Sequence, residues 1–269
     1  MTPFQSVVLG LVQGLTETLP VSSTAHLRIV PHYLGWGDPG LAFSAAIHLG
    51  TLAAVLAFFA GDIRRLAGAA VEGLRRGDLR HSPECLTAWA ILPATVPAVL
   101  FGLGLKGFIA TEARALPVIA WALILLAPCL LLAERLGRRD RDLTELSFWR
   151  IQVIGLFQAL ALVPGVSRSG STIMAGLLVG LRREQAARFA FLLGLPAITG
   201  AGLHELLELL GAGPGGEQIL SLVLGIAAAA VSGYAAIGLL LRLLERFGTP
   251  PFAAYRVGLG AFILFTLRA

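Results

Sequence analysis

Long apolar runs dominate the chain, near residues 42–60, 86–108, 116–133, 187–210, 219–241 and 252–267. Each is close to the roughly 20 residues that a bilayer-spanning helix needs. Two further stretches, 4–35 and 151–181, are apolar but interrupted by proline, glycine and a polar cluster. Each predicts a helix, a broken loop and a second helix, entering and leaving by one face. Non-helical backbone survives at that depth only where protein buries it or a watery cavity faces it. The pattern predicts an all-α integral membrane protein with six transmembrane helices and two re-entrant helix-loop-helix hairpins.

The two interrupted stretches resemble each other. GLVQGLTETLPVS (10–22) laid over GLFQALALVPGVS (155–167) matches at Gly, Leu, Gln, Leu, Val and Ser, at a constant offset of 145. Each copy is followed by a span, and loop charge makes the two spans run in opposite directions. This predicts one membrane domain, 1–269, built as an inverted-topology repeat of halves 1–133 and 134–269. In such repeats the broken loops meet near the bilayer midplane.

Composition agrees. Of 269 residues, 56% are hydrophobic and 14% charged, against about a quarter charged in soluble domains, and mean hydropathy is +0.80. The formal net charge is +5, but the arginines sit in short loops beside the apolar runs, so no nucleic-acid partner is expected. Arg64, Arg65, Arg75, Arg76 and Arg80 lie in one loop, and Arg135, Arg138, Arg139, Arg141 and Arg150 in another. Both read as cytoplasmic. Arg182, Arg183, Arg188, Arg242 and Arg246 fall on the same side, whereas GAGPGGEQ (211–218) carries no Lys or Arg and faces out. Lys106 and Arg114 are expected to mark an outer boundary. Cys85 and Cys129 have no metal-type or CxxC spacing and read as small core residues. MTPFQSVVLGLVQGL lacks a basic leader and a small-residue cleavage site, so it is expected to remain in the mature protein.

The chemistry concentrates in the two loops. In QGLTETLPVSSTAH (13–26), Gln13 and Glu17 share a helix face. Pro20 ends that helix, and Ser22, Ser23, Thr24 and His26 open the next. A helix N-terminus offers unpaired N–H groups to an anion, and an intramembrane carboxylate is a functional candidate by default. In PGVSRSGSTI (164–173), Arg168 stands alone among Ser167, Ser169, Ser171 and Thr172, with Gly165 and Gly170 allowing close backbone approach. Two helix N-termini, one arginine fork and many hydroxyls describe a phosphate site. Against this stand a structural Glu17–Arg168 ion pair and hydroxyls that only bond back to their own helix. His48 and His204 lack such company and read as structural.

QGLTETLPVSSTAH and PGVSRSGST closely resemble the two signature motifs of the bacterial undecaprenyl-diphosphate phosphatase family, linked to bacitracin resistance. Those are (E/Q)xxxE followed by a PVSSTGH-like run, and PGxSRSxxT. The resemblance covers the whole chain in length and segment spacing. It implies hydrolysis of undecaprenyl diphosphate, membrane lipid as surroundings, and a divalent cation, Mg²⁺ or Ca²⁺. It also implies a bacterial inner membrane location with the active site reached from the periplasmic side. A homodimer is a candidate assembly. Carried over by position, the catalytic residues are Glu17, Ser23, His26 and Arg168. Ser22, Thr24, Ser167, Ser169, Gly170 and Thr172 bind substrate, and Glu17 and Gln13 hold the metal. Ser23 with His26 as general base is the preferred nucleophile pair, with His26 or a metal-positioned water as the other attackers.

Two positions depart from the family pattern. Gln13 replaces the Glu found in many members and offers a cation no charge, and Ala25 replaces the usual Gly, so the backbone there must avoid a positive φ. The alternative function is a transporter or flippase of an anionic polyprenyl phosphate, which needs the anion clamp but not Glu, Ser and His beside it. The acid-phosphatase-like lipid phosphatases fit poorly, because Lys106 is the only lysine and no Arg-Pro follows it.

Overall fold

A computed structural model describes residues 1–268, apart from the side chains of Leu41, Lys106 and Ala110, so the expectation for Lys106 lies outside the described residues. The protein is all-helical, with a lone bridge between Arg141 and Leu181 the only β pairing among the described residues.

The first interrupted stretch folds as α1 (Pro3–Thr18) and α2 (Ser23–Leu34). Thr2 caps α1 by accepting from Gln5 N while the Gln5 side chain accepts from Thr2 N, and Pro3 supplies a preset φ. Pro20 cannot continue the helix, and Leu19 leaves it in extended conformation. The 16 residues of α1 reach about 24 Å, short of the ~30 Å hydrocarbon core.

Next come α3 (Gly40–Ala46) and α4 (His48–Phe58), after which the chain bends by 79° into α5 (Ala60–Arg76). The expected span 42–60 therefore stops at Phe58. Gly61 and Asp62 already belong to an amphipathic helix whose arginines face out. The helices α6 (Pro83–Gly104), α7 (Lys106–Ala110) and α8 (Leu116–Leu136) complete the first part. The second interrupted stretch gives α9 (Phe148–Gln158), a 3₁₀ turn at Ala159–Leu162 and α10 (Arg168–Leu178). It is followed by α11 (Arg183–Gly211), α12 (Gly216–Phe247) and α13 (Pro250–Thr266). Among the described residues four helices, α6, α8, α11 and α12, are long and apolar enough to cross a membrane, and the bent α3–α5 segment, taken as one span, brings the number to five. The sixth expected segment is α13, with 17 residues. Leu103, Leu125 and Val231 project from three of these helices as exposed apolar groups, as lipid-facing residues do. This is a multi-pass membrane protein.

Each hairpin's first arm packs on a long helix from the other part of the chain. A Cβ on Gly10 of α1 would stand 2.2 Å from Gly225 O of α12, and one on Gly155 of α9 would stand 2.2 Å from Ala94 O of α6. Only glycine allows either approach. Ser22 and Ser167, also 145 apart, are both held at positive φ, 74° and 75°.

Ionic residues gather at the two ends. Glu134 accepts from Arg139, Arg183 and Thr249 N, and Asp62 pairs with Arg65 and Arg188, joining the expected cytoplasmic loops. At the other end Arg28 and Arg114 converge on Asp38. Cys85 is buried as expected, but Cys129 is exposed on α8, because its side chain leaves the bundle on the outward face.

Candidate functional site

The loops after α1 and before α10 lie side by side. Gly165 N donates to Ser22 Oγ at 3.1 Å, and Ser169 Oγ donates to Leu19 O at 3.1 Å. From α13 the fully buried Arg256 donates to Pro20 O (3.3 Å) and Gly165 O (2.8 Å), one carbonyl from each loop, and to Ala122 O and Leu123 O of α8. A guanidinium at this depth needs hydrogen-bond partners, and here carbonyls of three segments take four of its five N–H groups. Ser22 and Ser167 tolerate an uncommon backbone conformation because these bonds hold both loops.

Glu17 is the hub, buried near the end of α1. Arg168, from the first turn of α10, forks onto its Oε1 with Nη2 at 3.0 Å and Nε at 3.3 Å, while Nη1 donates to Ala190 O of α11 at 3.1 Å. On Oε2 three groups meet: Ser23 Oγ donates to it, Gln13 Nε2 stands at 3.4 Å, and His48 Nε2 at 3.3 Å. Both hairpins and α4 thus build one charged core beside the N-terminus of α2, which Ser23 opens.

His48 corrects the sequence reading. It was expected to be structural, yet α4 carries it directly onto Glu17, where it is half-buried. His204 stays apart, exposed beside Glu205 and Glu208. His26 also departs from expectation. Its Nδ1 bonds with Ser22 O and its Nε2 with Tyr255 Oη, each at 2.7 Å, so neither nitrogen bonds Ser23. On α2 the ring of residue 26 projects toward α13, whereas Ser23 at the helix start faces α1. The carboxylate that touches Ser23 is that of Glu17.

The other hydroxyls divide. Thr24 is exposed and lies 3.1 Å from Ser22 Oγ. Ser167 Oγ caps α10 by accepting from Gly170 N at 3.1 Å and stands 3.2 Å from Ser169 Oγ. Thr172 is buried and its hydroxyl donates to Arg168 O at 2.7 Å, back along its own helix. That bond ties it to the turn carrying Arg168. Ala25 sits within α2 and the positive φ falls on Ser22 instead, so the missing glycine costs nothing. Gly194 of α11 was missed entirely: a Cβ there would lie 1.7 Å from Arg168 Nη1, so the guanidinium occupies space that only glycine leaves free.

Comparison with known proteins gives the family. The family model described as "Bacitracin resistance protein BacA" matches residues 6–262. The chain belongs to this family. Among relatives named undecaprenyl-diphosphatase, that of Myxococcus xanthus (strain DK1622) is 48% identical over 268 residues, covering 100% of this chain and 90% of the relative. That of Chlorobaculum tepidum is 47% identical over 271 residues, covering 97% and 95%. That of Nostoc sp. (strain PCC 7120) is 47% identical over 273 residues, covering 100% and 85%. Family membership thus spans both hairpins and all the helices around them.

Proposed function

We propose that this chain is an undecaprenyl-diphosphate phosphatase, releasing undecaprenyl phosphate and inorganic phosphate and so recycling the lipid carrier of peptidoglycan synthesis. Bacitracin resistance follows from that turnover. One observation carries the chemistry: Ser23 Oγ donates to the Glu17 carboxylate while Arg168 holds the same carboxylate from its other side. A nucleophile already bonded to a base, with a cation fork alongside, is the arrangement that displacement at phosphorus needs. A transporter needs the fork but not the Ser23–Glu17 contact.

Ser23 Oγ attacks the terminal phosphorus, its proton passes to Glu17, and the bond from phosphorus to the bridging oxygen breaks, releasing undecaprenyl phosphate. Glu17 passes that proton to the departing oxygen and is free again; water then attacks the phosphoserine, giving a proton to Glu17, and the bond from phosphorus to Ser23 Oγ breaks as Glu17 hands the proton to that oxygen and phosphate leaves. Arg168 shifts part of its fork from Glu17 to the phosphate oxygens as the diphosphate enters between the N-termini of α2 and α10. Thr24 is the exposed hydroxyl at that entrance. His26, tied to Ser22 O and Tyr255, is a positioning residue for the first loop.

A divalent cation fits the donor set. Gln13 Oε1 is buried without a hydrogen-bond partner, and its amide stands against Glu17 Oε2. Gln13 and Glu17 would hold such an ion together with the diphosphate, and the ion would neutralise charge on the transferring phosphoryl group. Because Arg168 already balances Glu17, the charge of such an ion would be balanced mainly by the anionic diphosphate.

The arginine-rich ends of α5, α8, α11 and α12 face the cytoplasm by the positive-inside tendency, so the α1–α2 hairpin enters from the periplasmic side of the inner membrane and α9–α10 from the cytoplasmic side, with substrate reaching the pocket between them from the periplasm. The recurrence at an offset of 145 of the buried glycine contacts and the positive-φ serines supports two inverted halves, 1–133 and 134–269. The test is phosphate release from detergent-solubilised protein given undecaprenyl or farnesyl diphosphate, with Mg²⁺, with EDTA, and in Glu17→Ala and Arg168→Ala. Release that depends on the cation and is lost in both variants is expected. Binding of the lipid without any release would overturn the assignment.

A further inference from the structure

We propose that His48 is a nitrogen ligand of the divalent cation, completing a Gln13–Glu17–His48 site that favours Mn²⁺ and its heavier neighbours over Ca²⁺. This rests on the phosphatase reading above for its diphosphate partner, but the protein ligands stand on geometry alone.

The ring's orientation comes first. His48 Nδ1 lies 2.6 Å from Ser44 O, one turn earlier. A carbonyl only accepts, so Nδ1 carries the hydrogen and donates it. In the neutral ring Nε2 then presents a lone pair, and it points at Glu17 Oε2, 3.3 Å away. Two lone pairs at that distance need a positive centre between them. Metal-binding histidines are characteristically oriented in this way, with the far nitrogen donating to a backbone carbonyl.

The second observation is Gln13. Its Oε1 is fully buried and unpartnered while Nε2 faces Glu17 Oε2 at 3.4 Å. A half-turn of the amide exchanges its oxygen and nitrogen and brings the oxygen to the same carboxylate atom. Atoms bound about 2.1 Å from one ion stand roughly 3–3.4 Å apart, as Nε2 of His48 and the Gln13 amide do from Oε2. An ion shared by these groups satisfies the orphaned oxygen, the imidazole lone pair and the carboxylate at once. It also lies against Ser23 Oγ, which meets the same Oε2.

The ligand set decides the metal. Ca²⁺ and Mg²⁺ take oxygen, whereas imidazole suits later divalent ions, whose affinities rise from Mn²⁺ along the series. A neutral Gln13 in place of a carboxylate further removes the charge on which a hard cation relies.

The experiment uses the full chain in detergent, in a His204→Ala background that removes the exposed His204, Glu205 and Glu208 group. Mn²⁺ is titrated with methylenediphosphonate present and followed by electron paramagnetic resonance, with spin-echo modulation reading any coordinated nitrogen. Nitrogen modulation is expected in the parent and lost in His48→Gln, with affinity falling about 10- to 100-fold. Gln13→Ala weakens binding while keeping the nitrogen signal. Thermal unfolding and gel filtration show that the variants fold. Bound Mn²⁺ without nitrogen modulation in the parent, or modulation unchanged in folded His48→Gln, overturns the inference and leaves only a proton between His48 and Glu17. Turnover of lipid diphosphate in that same sample would leave the phosphatase reading standing. Nitrogen-coupled Mn²⁺ with no turnover under any divalent cation would do the reverse.

Discussion

Gly194→Ala isolates the role of Arg168 without touching it. The added methyl carbon would stand 1.7 Å from Nη1, 2.6 Å from Cζ and 3.2 Å from Nη2 of Arg168. Carbon contacts settle near 3.5–4.0 Å, so the guanidinium must withdraw by about 2 Å. Its bonds to Glu17 Oε1 and Ala190 O, now 3.0–3.3 Å long, cannot survive such a shift, because contacts beyond about 3.5 Å no longer count as hydrogen bonds. The helix itself has no reason to unfold: alanine is the better helix former by about 1 kcal/mol, and what yields is the far end of a flexible side chain. Losing one charge-stabilising group typically costs ~10²–10³ in turnover, or roughly 3–4 kcal/mol. Phosphate release from purified protein should fall by that factor while the melting temperature stays within a few degrees. Gly200→Ala, on the same helix with open space around it, should leave turnover unchanged. Because both changes act through one guanidinium, Gly194→Ala combined with Arg168→Ala should be no worse than Arg168→Ala alone. Retention of more than about a tenth of turnover in Gly194→Ala, or full additivity in the pair, would refute the reasoning.

Glu17→Gln removes the only base bonded to Ser23 and should cost ~10²–10⁴ in kcat, read by the same phosphate assay. His26→Ala should cost no more than about tenfold, since His26 holds Ser22 O and Tyr255 rather than the nucleophile; a loss on the scale of a general base, ~10²-fold or more, would restore it to the reaction. Arg256→Met leaves buried carbonyls of Pro20 and Gly165 unmet at about 1–3 kcal/mol each. Thermal unfolding in detergent should drop by several degrees with activity falling alongside, and an unchanged melting temperature would remove Arg256 from the loop assembly.

The helical layout was legible because a bilayer imposes a crude and strong rule: apolar length decides which segments cross, and Pro or Gly beside polar clusters marks where they break. What periodicity could not show was the bend at Phe59, since an apolar run and an amphipathic helix join there without a proline. The site was half legible. Glu17 and Arg168 stood out because each is a lone charge in an apolar stretch, yet the same test applies to His48 in SAAIHLGT and to Arg256 in PFAAYRVG. His48 was set aside for want of polar neighbours in sequence, and Arg256 was not singled out at all. Their partners are Glu17, 31 positions from His48, and carbonyls of two loops far from Arg256, so company along the chain is the wrong criterion for a buried ion. The criterion that works is the cost of burying it. His26 shows the converse, standing three residues from Ser23 in a motif rich in hydroxyls while its ring turns to Tyr255. Gly194 left no trace in composition or pattern, because the need for a missing side chain arises only when Arg168 of another helix claims the space.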